Sequence, residues 1–552
     1  MVQIAPRPLV LVRGFGGLDV SGEQGNAYQG FNEGTVYPSR RGENFIYEGM
    51  VLRALKSDRY RYSDATNVVG YYASSVTSPP GELYGYDADD ASGTVVIDPQ
   101  TAKRVLQEGA AGTIWIYRYY DLIPRSLARY GEGLVRLIRL IRKAMVKQGH
   151  EFEGVDVVAH SMGGLVVREA LIAMEADRAG SATDMIHRIV TLGTPHRGIA
   201  FQRVPGWLLD ALPKAKDGSQ ELDSFAPDSK RFLEIEKCFP IDNILTVVGT
   251  NYRTYGPAAA SALNRISSLF DEGSLATNRS DGLVKQSAAQ LPGAPRTFVH
   301  KCHGGRDSLV TSREAFEVTM RFLHGTHRVR LWLVDSKIGR GKDHFGGSEF
   351  YFGVSVKPRY VDFELFHQSP EAENCYGPFG DEDLAEGPPP LEPELRKTLA
   401  EAGDRTTGWA GPDRLVWEGW VDIESKPEPD ARGMVFRVDV YLGERDTFGV
   451  GFSDNVIFRK QYYVQAFPGE DPAMFLHTGE RYLSAKEPKT REELTQLAES
   501  LAGQGASAEV RALRGEHAEA AGHGWTFDVA GTGFTGTFRV AVEPQTGPTS
   551  RG

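Results

Sequence analysis

Residues 155–168 constrain this chain more than any other stretch. Val155, Val157, Val158 and Ala159 form the apolar run of a buried strand, and Leu165, Val166, Ala170 and Leu171 recur at helical spacing just beyond it. Between them sits Ser161, with small Ala159 two residues before and Gly163 two residues after. A strand that becomes a helix over so short a turn leaves no room for bulk at those two positions. The turn holds one hydroxyl clear of the backbone, the arrangement of a nucleophile elbow. A small-x-Ser-x-small match alone also arises by chance, so the weight lies on the flanking strand and helix. Together they point to a nucleophile and to a sheet with helices packed on it.

The rest of the chain fits that start. Residues 1–325 alternate strand-like and helix-like segments, as a mostly parallel sheet with helices on both faces does. Residues 8–12, 113–117, 186–192, 244–248 and 297–300 read as further strands. Leu134, Leu137, Ile138, Ile141 and Met145 make the apolar stripe of an amphipathic helix, with Arg136, Arg139, Arg142 and Lys143 off it. Phe316, Met320 and Leu323 lie on a closing helix. Residues 18–110, rich in Gly, Tyr, Ser and Asp, exceed an ordinary connection and read as an insertion with one or two elements. Past Gly325 the texture is β-rich: residues 350–356, 435–441, 456–464 and 534–542 look like strands, while 329–334 alternates poorly. An acidic, Pro-rich stretch (380–393) and an Ala/Glu-rich stretch expected to be helical (491–521) interrupt them. The expectation is an α/β catalytic domain over 1–325 and a β-sandwich-like accessory domain over 326–552. Two domains also suit 552 residues, since single cores stop growing at about 250–300. Trp409, Trp417, Trp420, Tyr462 and Tyr463 read as core of the second domain.

Composition narrows the function classes. The formal charge of -11 argues against a nucleic-acid partner and against strong attraction to anionic lipid. Cys238, Cys302 and Cys375 cannot build a disulfide framework, which fits a reducing compartment. The first residues lack a basic segment followed by a long apolar one, so the expected location is cytoplasmic, or exported by a route without a recognisable signal peptide. No histidines or cysteines have metal-ligand spacing, no Gly-Lys-Ser/Thr phosphate loop follows a strand, and no dinucleotide fingerprint is present. No cofactor is expected.

A serine hydroxyl needs a base, a group to orient that base, and donors for the oxyanion. On a sheet of this kind the partners follow the serine in the order acid, then histidine. The acid candidate is Asp281, in a loop before the last strand, although Asp-Gly is also an ordinary turn pair. The base candidate is His303, just past the strand at 297–300, where loops at the carboxyl edge of a sheet meet ligands. His300 is its rival and reads instead as a half-buried strand residue. Cys302 reads as packing. The oxyanion donors are expected from the backbone N–H of Met162, after the nucleophile, and of Phe15, in the Gly-rich loop 14–17. Asp307 leaves a calcium ion near the His303 loop open.

With these residues in place, residues 1–325 resemble the bacterial lipase/esterase branch of the α/β-hydrolase superfamily, especially the lipases grouped with the PGAP-like hydrolases. The likeness rests on LVLVRGFGG (9–17), VVAHSMGG (157–164), LGTPHRG (192–198) and SDGLV (280–284), in the family's order. A weaker match is HGG (303–305) before a helix ending FLHG (322–325). Two departures are Arg13-Gly14, where the family usually has His-Gly, and Ala159, where Gly is common. The resemblance implies that His196 is structural. It also implies a cap over the site at about 200–275, with Trp207, Leu208 and Leu212 as a short apolar surface for acyl chains. The expected activity is serine carboxylic-ester hydrolysis of lipid or other acyl esters, with transient contact with a lipid surface and the oligomeric state open. A phospholipase, including a secreted antibacterial one, or an acyltransferase on the same triad is the alternative. A non-catalytic binding protein on the same fold is the alternative from another class.

Overall fold

The computed structural model describes residues 7–14, 49–57, 59–60, 66–68, 109–117, 126–176, 181–198, 229–251, 280–304, 307–338, 348–358, 366–367, 376–379, 414–421, 434–446, 455–467, 472–478, 490–518, 522–531 and 533–545. Among them, seven strands form one parallel sheet: β1 (Leu9–Val12), β2 (Thr66–Val68), β3 (Ile114–Tyr117), β4 (Val155–His160), β5 (Ile186–Leu192), β6 (Ile244–Gly249) and β7 (Arg296–Val299). Their spatial order is β2-β3-β1-β4-β5-β6-β7. The apolar runs show little alternation because both faces of the sheet are covered. Val10, Val12, Trp115, Val157 and Ala159 share one core with helices α2 (Leu127–Lys147) and α3 (Gly163–Ala176). Leu9, Leu11, Ile116, Val158, Val190 and Val247 share the opposite core with α1 (Met50–Lys56) and α6 (Arg313–His324). Between these lie α4 (Ala182–Met185) and α5 (Lys230–Cys238). The order reverses at β1 and β4, and a crevice outside the carboxyl ends of strands at such a point is where open α/β sheets place ligands.

The remaining strands are β8 (His327–Ile338), β9 (Ser348–Pro358), β10 (Phe366–His367), β11 (Tyr376–Phe379), β12 (Arg414–Val421), β13 (Met434–Asp446), β14 (Asn455–Phe467), β15 (Ala473–His477), β16 (Val510–Ala512), β17 (Arg514–Ala518), β18 (Gly522–Gly531) and β19 (Phe534–Pro544). One antiparallel sheet runs β10-β9-β13-β14-β15-β16 with β11 on β9, and a second runs β12-β8-β19-β18-β17. The two face each other through aromatic contacts. Tyr462 meets Phe527 at 5.9 Å, Phe458 meets Phe534 at 5.2 Å and Trp417 meets Phe436 at 6.1 Å between ring centroids. The poor alternation at 329–334 has a plain cause. Val329, Leu331 and Leu333 point into the shared core, and Trp332 on the other face is covered by the guanidinium groups of Arg330 (5.0 Å) and Arg539 (4.6 Å).

The sandwich core does not stop at the α/β region. Val248, Leu283, Val284, Ala288, Ala289 and Phe298 belong to the same apolar cluster as Val329, Val438 and Phe538. Phe322 of α6 meets the edge of Trp420 at 4.8 Å, and Arg328 pairs with both Glu418 and Asp242. Thr326 N–H donates to the Val421 carbonyl at 2.9 Å, and Gln545 Nε2 donates to the Phe322 carbonyl at 3.1 Å.

One expectation is corrected here. The stretch 491–521 is not helical throughout: α7 (Arg491–Leu501) gives way to a 3-10 segment, Ala502–Ser507, and then to β16 and β17. Gly505 breaks the helical path with φ +56°, and Val510 is instead buried by pairing β16 with β15. The range of about 200–275, expected as a cap, is described only over 229–251. That part is sheet and packed helix: β6 lies between β5 and β7, and α5 sits on α3 with Phe232 fully buried and Arg231 paired to Glu169. Trp207, Leu208, Leu212 and Trp409 lie outside the described residues.

Candidate active site

Ser161 follows the last residue of β4 and has φ +53°, the one left-handed non-glycine among the described residues. Such a conformation is costly for a residue with a Cβ and is kept where the surroundings impose it. Here the Ser161 N–H donates to the Leu192 carbonyl at 2.9 Å, and the Ser161 carbonyl accepts from Gly164 N–H at 3.0 Å and Thr194 Oγ1 at 2.8 Å. The small residue at 163 is explained by distance: a Cβ there would lie 2.6 Å from the Arg13 carbonyl oxygen and 2.7 Å from that of Val12.

The three side chains named from the sequence stand in one row. His303 Nδ1–H donates to Asp281 Oδ2 at 2.8 Å, and Ser161 Oγ–H donates to His303 Nε2 at 2.9 Å. A carboxylate only accepts, so the proton sits on Nδ1 and leaves Nε2 free to take one from the serine. The other oxygen of Asp281, Oδ1, accepts from the N–H groups of Leu283 (3.0 Å) and Val284 (2.7 Å). Asp281 and His303 are 1% and 3% exposed, while Ser161 is only partly covered. The hydroxyl is thus the end of the row that a substrate reaches.

Met162 stands at the N-terminal end of α3, where amide N–H groups have no intrahelical acceptor and the helix dipole favours a negative charge. Phe15 lies outside the described residues. Gly14 before it closes tightly on the elbow, since a Cβ there would be 2.9 Å from that of Ser161. His300, expected as a half-buried strand residue, is exposed one residue past β7 and bonds Thr250 Oγ1 at 3.0 Å. The Cys302 thiol is buried and turned to the carbonyls of Gly304 and Asp307. Asp307 pairs with Lys301 at 2.7 Å, and no group of three or more His, Cys, Asp or Glu able to hold a metal occurs among the described residues.

The segment LGTPHRG joins the pieces, a role that triad logic does not supply. Gly193 turns with φ +57°, and a Cβ there would lie 2.7 Å from Asp281 Oδ2. Thr194 holds the elbow carbonyl. Arg197 donates from its N–H to the Ala288 carbonyl (3.1 Å) and from Nη1 to that of Ser287 (3.3 Å), so it grips the chain just past the acid. His196 is buried, bonds Thr191 Oγ1 at 2.9 Å, and has its carbonyl held by Arg168 Nη1 at 2.6 Å. Burial holds its pKa well below the usual histidine range, which suits a structural part. The signal for these residues was the motif itself, since their contacts join distant parts of the chain.

Sheet, helices and elbow have the arrangement of the α/β-hydrolase fold. Residues 121–204, which carry the elbow, match a family model described as the PGAP1-like alpha/beta domain. A comparison with curated protein sequences found no match. Among solved structures, the mature lipase BlEst2 of Bacillus licheniformis is similar at 17% identity over 58% of this chain and 92% of its own, with a TM-score of 0.30. The phospholipase PlaB of Legionella pneumophila follows at 12% identity, 65% and 87% coverage and a TM-score of 0.27. Aspergillus fumigatus lipase B gives 12%, 45% and 38%, with 0.20. Overlaps this loose carry no argument about chemistry. No helix among the described residues is long and apolar enough to cross a membrane.

Proposed function

We propose that this chain is a serine carboxylic-ester hydrolase of the lipase/esterase type, acting on lipid or other acyl esters. The observation that carries the reading is the hydrogen-bonded row Ser161–His303–Asp281 at the carboxyl end of the sheet. Ser161 Oγ attacks the ester carbonyl carbon as its proton passes to His303 Nε2. Asp281 keeps the imidazole in the accepting tautomer and stabilises the cation that forms. Negative charge on the former carbonyl oxygen is met by the Met162 N–H, with Phe15 proposed as the second donor. The tetrahedral species collapses, the alcohol leaves with the proton from His303, and the acyl group stays on Oγ. Water, deprotonated by His303, then releases the acid.

Hydrolysis of p-nitrophenyl esters from acetate to palmitate, by wild type and Ser161→Ala in parallel, tests this. The expected result is turnover that falls by several orders of magnitude in the variant while the fold is retained. Equal turnover by the two proteins, or a folded wild type that neither turns over esters nor reacts with a serine-directed fluorophosphonate, overturns it.

A further inference from the structure

His160 precedes the candidate nucleophile, and the reaction as written gives it no part. Its ring lies against that of His303, with centroids 4.9 Å apart and planes inclined at 40°. Its Nε2 is 2.9 Å from the main-chain carbonyl oxygen of His303. A carbonyl can only accept, so Nε2 carries the proton and Nδ1 is bare. That bare nitrogen is turned to the end of β1, where a Cβ on Gly14 would lie 2.7 Å from it. The ring therefore spans from the loop of the base to the start of the loop expected to bind the oxyanion.

His303 sits on a connection between β7 and α6, and connections are the mobile parts of a fold. Both of its backbone groups are nevertheless held, one by its partner Asp281 and the other by His160. Its N–H donates to the Asp281 carbonyl at 2.8 Å, and its C=O accepts from His160, the neighbour of Ser161. We propose that His160 is a positioning residue for the base, fixing the His303 main chain so that Nε2 stays in line with Ser161 Oγ as the proton moves between them. The inference rests on the hydrolase reading and assigns that site one more working part.

The role needs a neutral ring, because a cation stacked on His303 would oppose the imidazolium that forms there. Burial, with the neighbouring His303 and then Arg13, pushes the His160 pKa down to about 3. His160 thus stays an N–H donor of fixed tautomer across the working range, and the positive charge gathers on His303 alone. Asp281 faces the other edge of that imidazole, at Nδ1.

The test compares His160→Phe, which keeps a flat ring without a donor, with His160→Gln, whose amide restores an N–H near the position of Nε2. Three quantities are read in the full-length chain: kcat and KM for a p-nitrophenyl ester, the rate of fluorophosphonate labelling at Ser161, and the thermal midpoint. Misplacement of a reacting group by an ångström costs on the order of a hundredfold. The Phe variant is therefore expected to lose roughly ten- to a hundredfold in kcat and in labelling rate at little-changed KM and midpoint, and the Gln variant to recover most of both. Wild-type kcat and labelling in His160→Phe, or equal losses in Phe and Gln, overturn the inference. Wild type that is folded but unlabelled and inactive overturns the hydrolase reading instead, and the inference with it.

Discussion

Gly193 is a residue at which the candidate site has little tolerance. It takes a left-handed turn beside the Asp281–His303 hydrogen bond, and a Cβ would sit 2.7 Å from Asp281 Oδ2 and 3.1 Å from His303 Nδ1. Gly193→Ala adds a conformational cost of about 1–2 kcal/mol and a steric clash at the hydrogen bond between Asp281 and the base. The expected outcome is a lower thermal midpoint and a kcat reduced by on the order of a hundredfold, read by ester hydrolysis beside calorimetry. At this scale the sequence was most legible where chemistry restricts residue type: Ser161, Asp281 and His303, named from the sequence, stand in one hydrogen-bonded row. Thr194 and Arg197 were visible only as a motif. What they do, holding carbonyls at 161 and 287, depends on segments that meet only in the fold.

Among the elements, α6 joins the two halves. Phe322 is fully buried, edge-on to Trp420 and under the Arg188 guanidinium, and its carbonyl receives Gln545 and Arg188. Phe322→Ala opens a cavity where helix and sandwich meet, with an expected loss of about 3–5 kcal/mol. Urea unfolding measures it, and a change under about 1 kcal/mol means that the contact collapses cheaply. The strands β1 and β3 to β7 of the parallel sheet were readable because both of their faces are apolar, whereas β2, with the sequence Thr66-Asn67-Val68, lay within a stretch read only as an insertion. The overrun from α7 into β16 and β17 was not, because alanine suits a helix locally while pairing with β15 is decided by distant chain. The burial of Phe232 of α5 on α3 is likewise a tertiary fact.

Across the whole molecule, buried neutral histidines set the response to acid. Burial lowers His477 and His324 to about 4 and His196 well below its usual range. Unfolded, each titrates near 6.5. Below that value the unfolded chain takes up protons that the folded chain refuses, so this stability is complete above about pH 6.5 and drains as the pH falls toward 4. For His477 alone the loss at pH 5 is roughly 2 kcal/mol. Thermal midpoints between about pH 7.5 and 5 are expected to drop steeply, and His477→Gln to flatten the slope; a midpoint constant over that window counters the account.

The shared core also orders events in time. Leu283 and Val284, whose N–H groups hold Asp281, have side chains buried with those of β8, β13 and β19. Within its sheet β8 lies between β12 and β19, so that sheet is incomplete until Phe534–Pro544 exist. A ribosome releases Ser161, Asp281 and His303 long before those strands. During synthesis the chain therefore carries all three groups before the strands that cover Leu283 and Val284, and a chain cut before Phe534 is expected to turn over esters more slowly than one that contains β19.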